Sequence, residues 1–137
     1  MGHRRRSRES ALQMLYQIDQ TGADTDVVFE EFWSGRDSQG ADREFTERLV
    51  LGVRASKAEL DAYIAAAAEH WRIERMAVVD RNVLRLAVYE MLHDRERPAV
   101  YIDEAIEVAR KFGSAESGTF INGILDAIRK KIENAAD

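Results

Sequence analysis

The sequence predicts an all-α fold, and three observations predict it. Apolar residues recur at spacings of three and four along most of the chain, and no segment alternates cleanly enough for a strand. Helix breakers are few: 137 residues hold one proline, Pro98, and eight glycines. The links between periodic stretches are mostly short, which favours a compact bundle of about seven helices.

Taken in order, Ala11, Leu12, Leu15, Tyr16 and Ile18 form the apolar stripe of a first helix that follows an arginine-rich start. "TGADTD" ends it, and Asp24 or Asp26 caps a second helix carrying Val28, Phe29, Phe32 and Trp33. "SGRDSQGAD" reads as a loop. Asp42 caps a third helix with Phe45, Leu49 and Val53 on one face. Leu60, Ile64, Ala67, Ala68 and Trp71 stripe a fourth, and the pattern leaves open whether it continues from the third. "MAVVDRNVLRLAVYEMLH" is apolar around most of its circumference, the mark of a central, buried helix. Pro98 disfavours helical geometry at Arg97 and places a break there. Ile102, Ala105, Ile106 and Ala109 stripe the sixth helix, which Gly113 ends. Ser114 or Ser117 caps the seventh, built on Phe120, Ile121, Ile124, Leu125, Ile128 and Ile132. In "FINGIL" the apolar spacing runs straight through an Asn-Gly pair that normally marks a turn. Gly123 is therefore expected to admit a close helix neighbour, and Asn122 to be a buried asparagine bonded to backbone. Phe120 reads equally as core or as an exposed platform.

Length and composition fit a single domain, residues 1–137. Apolar residues make up 45%, enough for a core, and charged residues 33%. The absence of cysteine excludes disulfides, thiolate metal sites and cysteine nucleophiles. Apolar runs are too short to span a bilayer, and charges break up the start of the chain where a secretory signal needs an apolar stretch. The cytoplasm is the expected location.

Charge is unevenly placed. The net charge is −5, yet Arg4, Arg5, Arg6 and Arg8 precede the first carboxylate, Glu9. Between Asp19 and Glu47 there are nine carboxylates and two arginines. A basic edge on an acidic body suits two partners of opposite sign. Cations at a helix N-terminus cost about 0.3–1 kcal/mol each, so the cluster opposes helix stability. In helical phase Arg4 and Arg8 lie on the side of Leu12 and Leu15, which gathers the arginines along the body. Their planar forks match phosphate and stack on bases, so a nucleic acid is the best target. Tyr16, two turns beyond Arg8, could add a stacking surface or a half-buried core ring.

Catalytic signals are weak. His3, His70 and His93 are far apart, and Glu90 with His93 is too small a set for a metal site. "GSAESG" contains glycine but follows a helix and lacks the lysine of a phosphate loop. The expectation is a binding protein, not an enzyme, with no cofactor and no metal.

Three stretches, "RRRSRESALQMLYQID", "VDRNVLRLAVYEML" and "VYIDEAIEVARKFGSAESGTFINGILDAI", are similar to the bacterial transcription antitermination factors of the NusB family. The resemblance runs from about Arg4 to Ile128, and the phenylalanine-glycine, polar loop and "FINGIL" series is its most specific part. It implies two small packed helical bundles and no enzymatic activity. It further implies binding to boxA, a short single-stranded RNA element of nascent ribosomal RNA leaders. The binding would be shared with NusE, a small-subunit ribosomal protein, among other Nus factors on RNA polymerase, to suppress premature termination. By motif, the basic edge at 3–8, with Arg4, Arg5, Arg6 and Arg8, matches the RNA-binding start. Tyr16 and Phe120 match aromatic positions on the RNA side, where stacking is the expected role, and Glu116 an acidic position that affects RNA affinity. Glu74 and Asp80 fall where RNA and the protein partner meet. The segment "TGADTDVVFEEFWSGRDSQGAD" departs from the family pattern. A free-standing RNA-binding module and a helical interaction protein without a transcription role are the alternatives.

Overall fold

A computed structural model describes residues 2–34 and 41–135. Most of the loop expected between the second and third helices lies outside the described residues. The helices are α1 (Gly2–Thr21), α2 (Thr25–Trp33), α3 (Arg43–Ala55), α4 (Lys57–Ala67), α5 (Val78–His93), α6 (Pro98–Phe112) and α7 (Ser117–Ala135). A short 3-10 turn, Ile73–Arg75, precedes α5. The all-α class and the seven helices agree with the sequence pattern, and no strand occurs among the described residues.

Local chemistry sets the boundaries. Gly22 ends α1 in the left-handed region at φ 70°, where a side chain would be strained, and its N–H donates to the Ile18 carbonyl at 2.8 Å. Asp42 caps α3, its carboxylate accepting from the Phe45 N–H at 3.1 Å. The chain breaks between α3 and α4 at Ser56, so the two are separate helices. Pro98 opens α6, where its missing N–H costs nothing. Ser117 begins α7, but its hydroxyl accepts from the Ser114 N–H and donates to Asp80 of α5 at 2.8 Å. It therefore joins two helix starts, a role that capping logic alone does not anticipate.

Helices α1 to α3 pack together, α4 to α7 pack together, and α1 lies against α5 to join the groups around one core. Leu12, Met14, Leu60, Leu84, Met91 and Leu125 are among its fully buried side chains. Helix α5 is buried on nearly every side, as its apolar circumference requires. The ring of Tyr89 on α5 occupies the space that a Cβ on Gly52 of α3 would fill.

The joint between the groups also carries an ionic network beside the apolar core. Arg81 of α5 pairs with Asp19 of α1 at 2.6 Å, and Arg85 pairs with Asp61 of α4 at 2.7 Å and Asp19 at 3.3 Å. The amide of Asn82 donates to Asp19 at 2.9 Å. Chiefly through the Arg81 hydrogen bond, the Asp19 carboxyl is lowered to about 2. A half-buried charge set of this kind is tolerable because its members satisfy one another.

Two expectations are corrected. Asn122 and Gly123 are exposed, and a Cβ on Gly123 would meet nothing within 4 Å. Ile121, Ile124, Leu125, Ile128 and Ile132 define the buried stripe of α7, and the helical rotation of 100° per residue carries 122 and 123 off it. Trp71 is not part of the α4 stripe: α4 ends at Ala67, and Trp71 is 57% exposed in the turn beyond.

Candidate nucleic-acid interface

Because α1 begins at Gly2, all four leading arginines lie in its first two turns. Their orientation is fixed by Ser7, which is fully buried, donates to the His3 carbonyl at 2.7 Å and accepts from the Asp42 N–H at 2.8 Å. This contact pins the start of α1 to the start of α3. It also divides the arginines into two pairs.

Arg5 and Arg8 both turn toward carboxylates of other helices, Arg8 in a buried position and Arg5 with its side chain still 43% exposed. Arg5 grips Glu104 of α6 through two bonds of 2.6 and 3.2 Å. Arg8 grips Glu90 of α5 through bonds of 2.7 and 2.8 Å and reaches Glu104 at 3.4 Å. The Arg8 and Glu90 side chains are only 12% and 10% exposed. Arg5 is the main cause that holds Glu104 below the ordinary carboxylate range. These carboxylates also answer the dipole problem, since they neutralise cations that the helix N-terminus disfavours.

Arg4 and Arg6 are exposed. The Arg4 guanidinium lies over the Phe45 ring of α3, 3.8 Å from its centroid. Arg8 and Arg48 lie 5.8 and 5.7 Å from the same centroid. Arg8 is also 5.7 Å from the ring centroid of Tyr101 on α6. The result is an open groove of about 770 Å³ with Arg4, Phe45, Arg97, Val100, Tyr101 and Glu104 among its walls. Tyr101 donates its hydroxyl to Asp94 at 2.6 Å. Burial and then this bond raise Tyr101 to about 12, so it stays a neutral donor.

Helix α6 connects the groove to a second aromatic feature. Tyr101 and Phe112 are separated by roughly 16 Å of helix, taking 1.5 Å per residue. Near the far end Lys111 reaches back to Glu9 of α1 at 3.0 Å. Beyond it the α6–α7 link carries exposed Glu116, and half-buried Phe120 follows in α7. Phe120 meets Trp71 edge-on, with centroids 5.8 Å apart. Asp80 is 8% exposed and accepts the Ser117 hydroxyl, so it steadies the start of α7 from within. Glu74 is exposed in the 3-10 turn, and Tyr16 is 42% exposed on α1.

The structure therefore brings Arg4, Arg5 and Arg8 into one groove, and places Glu116 and Phe120 at the other end of α6. Sequence reasoning missed three groove residues. Phe45 read as core because its spacing matches Leu49 and Val53. Tyr101 and Arg97 gave no signal, because their place beside the arginines depends on how α6 crosses α1. No group of three histidine, aspartate or glutamate side chains suited to a metal occurs among the described residues.

The NusB family model matches residues 5–130. A transcription antitermination protein NusB from Sorangium cellulosum is 43% identical over 133 residues, covering 96% of this chain and 95% of its own. The solved structure of T. maritima NusB superposes with a TM-score of 0.81 at 39% identity, over 93% of this chain and 91% of that one. A structure of the antitermination factors NusB and NusE in complex with dsRNA gives a TM-score of 0.81 at 27% identity, over 96% and 98% of the chains. With a family model spanning nearly all of its helices and relatives alike from end to end, this chain belongs to the NusB family.

Proposed function

We propose that this protein is an RNA-binding transcription antitermination factor. It binds boxA-type single-stranded RNA of nascent ribosomal RNA leaders together with NusE, in a larger assembly with other Nus factors and RNA polymerase, and so suppresses premature termination. It acts by binding, without catalysis or cofactor, as a single domain in the cytoplasm.

The observation that carries this reading is the basic edge of α1, built on an otherwise acidic body in a chain that matches NusB proteins over nearly its whole length. A similar NusB structure was solved with NusE and double-stranded RNA. Single-stranded RNA suits this chain better, because exposed rings can stack only on bases that are not already paired. Arg4 and Arg6 would meet phosphate, while Arg5 and Arg8 act through the groove they hold in shape. Tyr16 and Phe120 would stack on bases, and Glu116 would tune affinity by its charge. Glu74 would face the protein partner, and Asp80 would serve that side by holding α7 in place.

The test is fluorescence anisotropy with labelled boxA and scrambled RNA of equal length, with and without NusE. Preference for boxA that sharpens when NusE is present is expected. Equal affinity for both RNAs under both conditions would refute the reading and favour a non-specific RNA-binding module. No RNA binding under any condition would leave a helical interaction protein.

A further inference from the structure

We propose that the groove between α1, α3 and α6 is a nucleotide subsite. One base of the bound RNA stacks on Phe45 beside Tyr101, and the Arg4 guanidinium that covers Phe45 in the unbound protein moves to the adjoining phosphate. This rests on the RNA-binding reading above and adds residues to it: Phe45, Tyr101 and Arg97.

The chemistry of the walls selects the ligand. Phe45 and Tyr101 flank the Arg8 guanidinium at 5.8 and 5.7 Å, so two rings border one slot. At the floor, Arg8 is already paired bidentately with Glu90 and is not available as a phosphate receptor. At the mouth, Arg4 is exposed, and Arg97 has only a long contact of 3.7 Å to Asp94, its side chain 72% exposed. Cations outside and aromatic faces inside match a nucleotide, with the phosphate at the mouth and the base within. The carboxylates Glu104 and Asp94 oppose an acidic peptide; Glu104 is already held by Arg5, whereas Asp94 at the rim can accept from the amino or imino group of a base edge. The planar guanidinium of Arg4, 3.8 Å from the ring centroid, occupies the face that a base would take. A cation–π contact at an exposed site is weak enough for a stacked base to replace it.

The experiment uses boxA-type RNA with 2-aminopurine at single positions and three variants: Phe45→Leu, Phe45→Trp and Tyr101→Leu. In the wild-type protein one position should be quenched on binding. Phe45→Leu keeps apolar volume but removes the ring. It should lose that quench and weaken affinity roughly tenfold at fixed salt, within the range for one stacked base. Phe45→Trp should retain both, and Tyr101→Leu should weaken binding to a lesser degree. Melting by circular dichroism shows whether each variant is folded. If Phe45→Leu does not fold, ultraviolet cross-linking of the wild-type complex decides. Cross-links within 43–48 or 97–104 support the subsite, and cross-links confined to other peptides overturn it. Wild-type binding with no quench at any position, or a folded Phe45→Leu that binds and quenches like wild type, overturns the subsite and leaves RNA binding standing. A wild-type protein that binds no RNA overturns both.

Discussion

Replacing Arg8 with alanine should destabilise the fold more than any other change in the basic edge. Its side chain and that of Glu90 are 12% and 10% exposed, and two bonds of 2.7 and 2.8 Å join them. Removing one partner of a buried pair costs about 3–5 kcal/mol, because the other charge is left desolvated. Relief of an unfavourable cation near the helix N-terminus returns about 0.3–1 kcal/mol. The net loss is about 2–5 kcal/mol, or roughly 10 °C in melting temperature at mid-range for a domain of this size. The assay is thermal unfolding by circular dichroism, with urea unfolding as a check. Arg8→Met combined with Glu90→Leu should recover most of the loss, since a matched apolar pair is often no worse than a buried ion pair. A single variant melting within about 2 °C of wild type, against that 10 °C, would refute the reasoning. So would a double variant no more stable than Arg8→Ala.

Gly123→Ala should raise stability by up to about 1 kcal/mol, because its Cβ meets open space on a helix and alanine has the better propensity; a lower melting temperature would contradict this. Ser117→Ala removes the hydroxyl donor that buried Asp80 accepts, and should cost about 1–3 kcal/mol in urea unfolding. Acid should weaken the α1–α5 joint. Asp19 has its folded value lowered from 3.8 to about 2, so its contribution is present above about pH 4 and is lost as pH falls toward 2. Asp19→Asn should therefore flatten the stability profile across that window, and an unchanged profile would count against the assignment.

Much of the helical plan was legible in the sequence, because apolar spacing of three and four reports burial directly. The all-round apolar character of α5 announced a central helix, and Asp42 and Pro98 marked the starts of α3 and α6. The misreadings have physical causes. Apolar neighbours in sequence suggest a buried face for Gly123 and Asn122, although strict helical phase places both outside the stripe of α7. Trp71 continues the apolar spacing one turn past the end of α4, where periodicity without a stop signal is no guide. The division of the arginines into inward and outward pairs was not legible at all. It depends on Glu90 and Glu104, about 80 to 100 residues away in sequence, and on the buried Ser7 hydroxyl that sets the rotation of α1. Phe45 was visible as an apolar residue, but its role as a platform under Arg4 needed the packing of α1 on α3.

The central claim is that the outward pair, Arg4 and Arg6, meets RNA while Arg5 and Arg8 hold the fold. The most direct measurement is the salt dependence of RNA affinity for wild type and an Arg4→Ala, Arg6→Ala double variant. Each phosphate contact contributes about −0.7 to the slope of log K against log salt for a single strand. The double variant should therefore show a slope shallower by about 1.4 while remaining folded. An unchanged slope and affinity in the double variant, with the full loss appearing in a folded Arg5→Ala protein instead, would contradict the account.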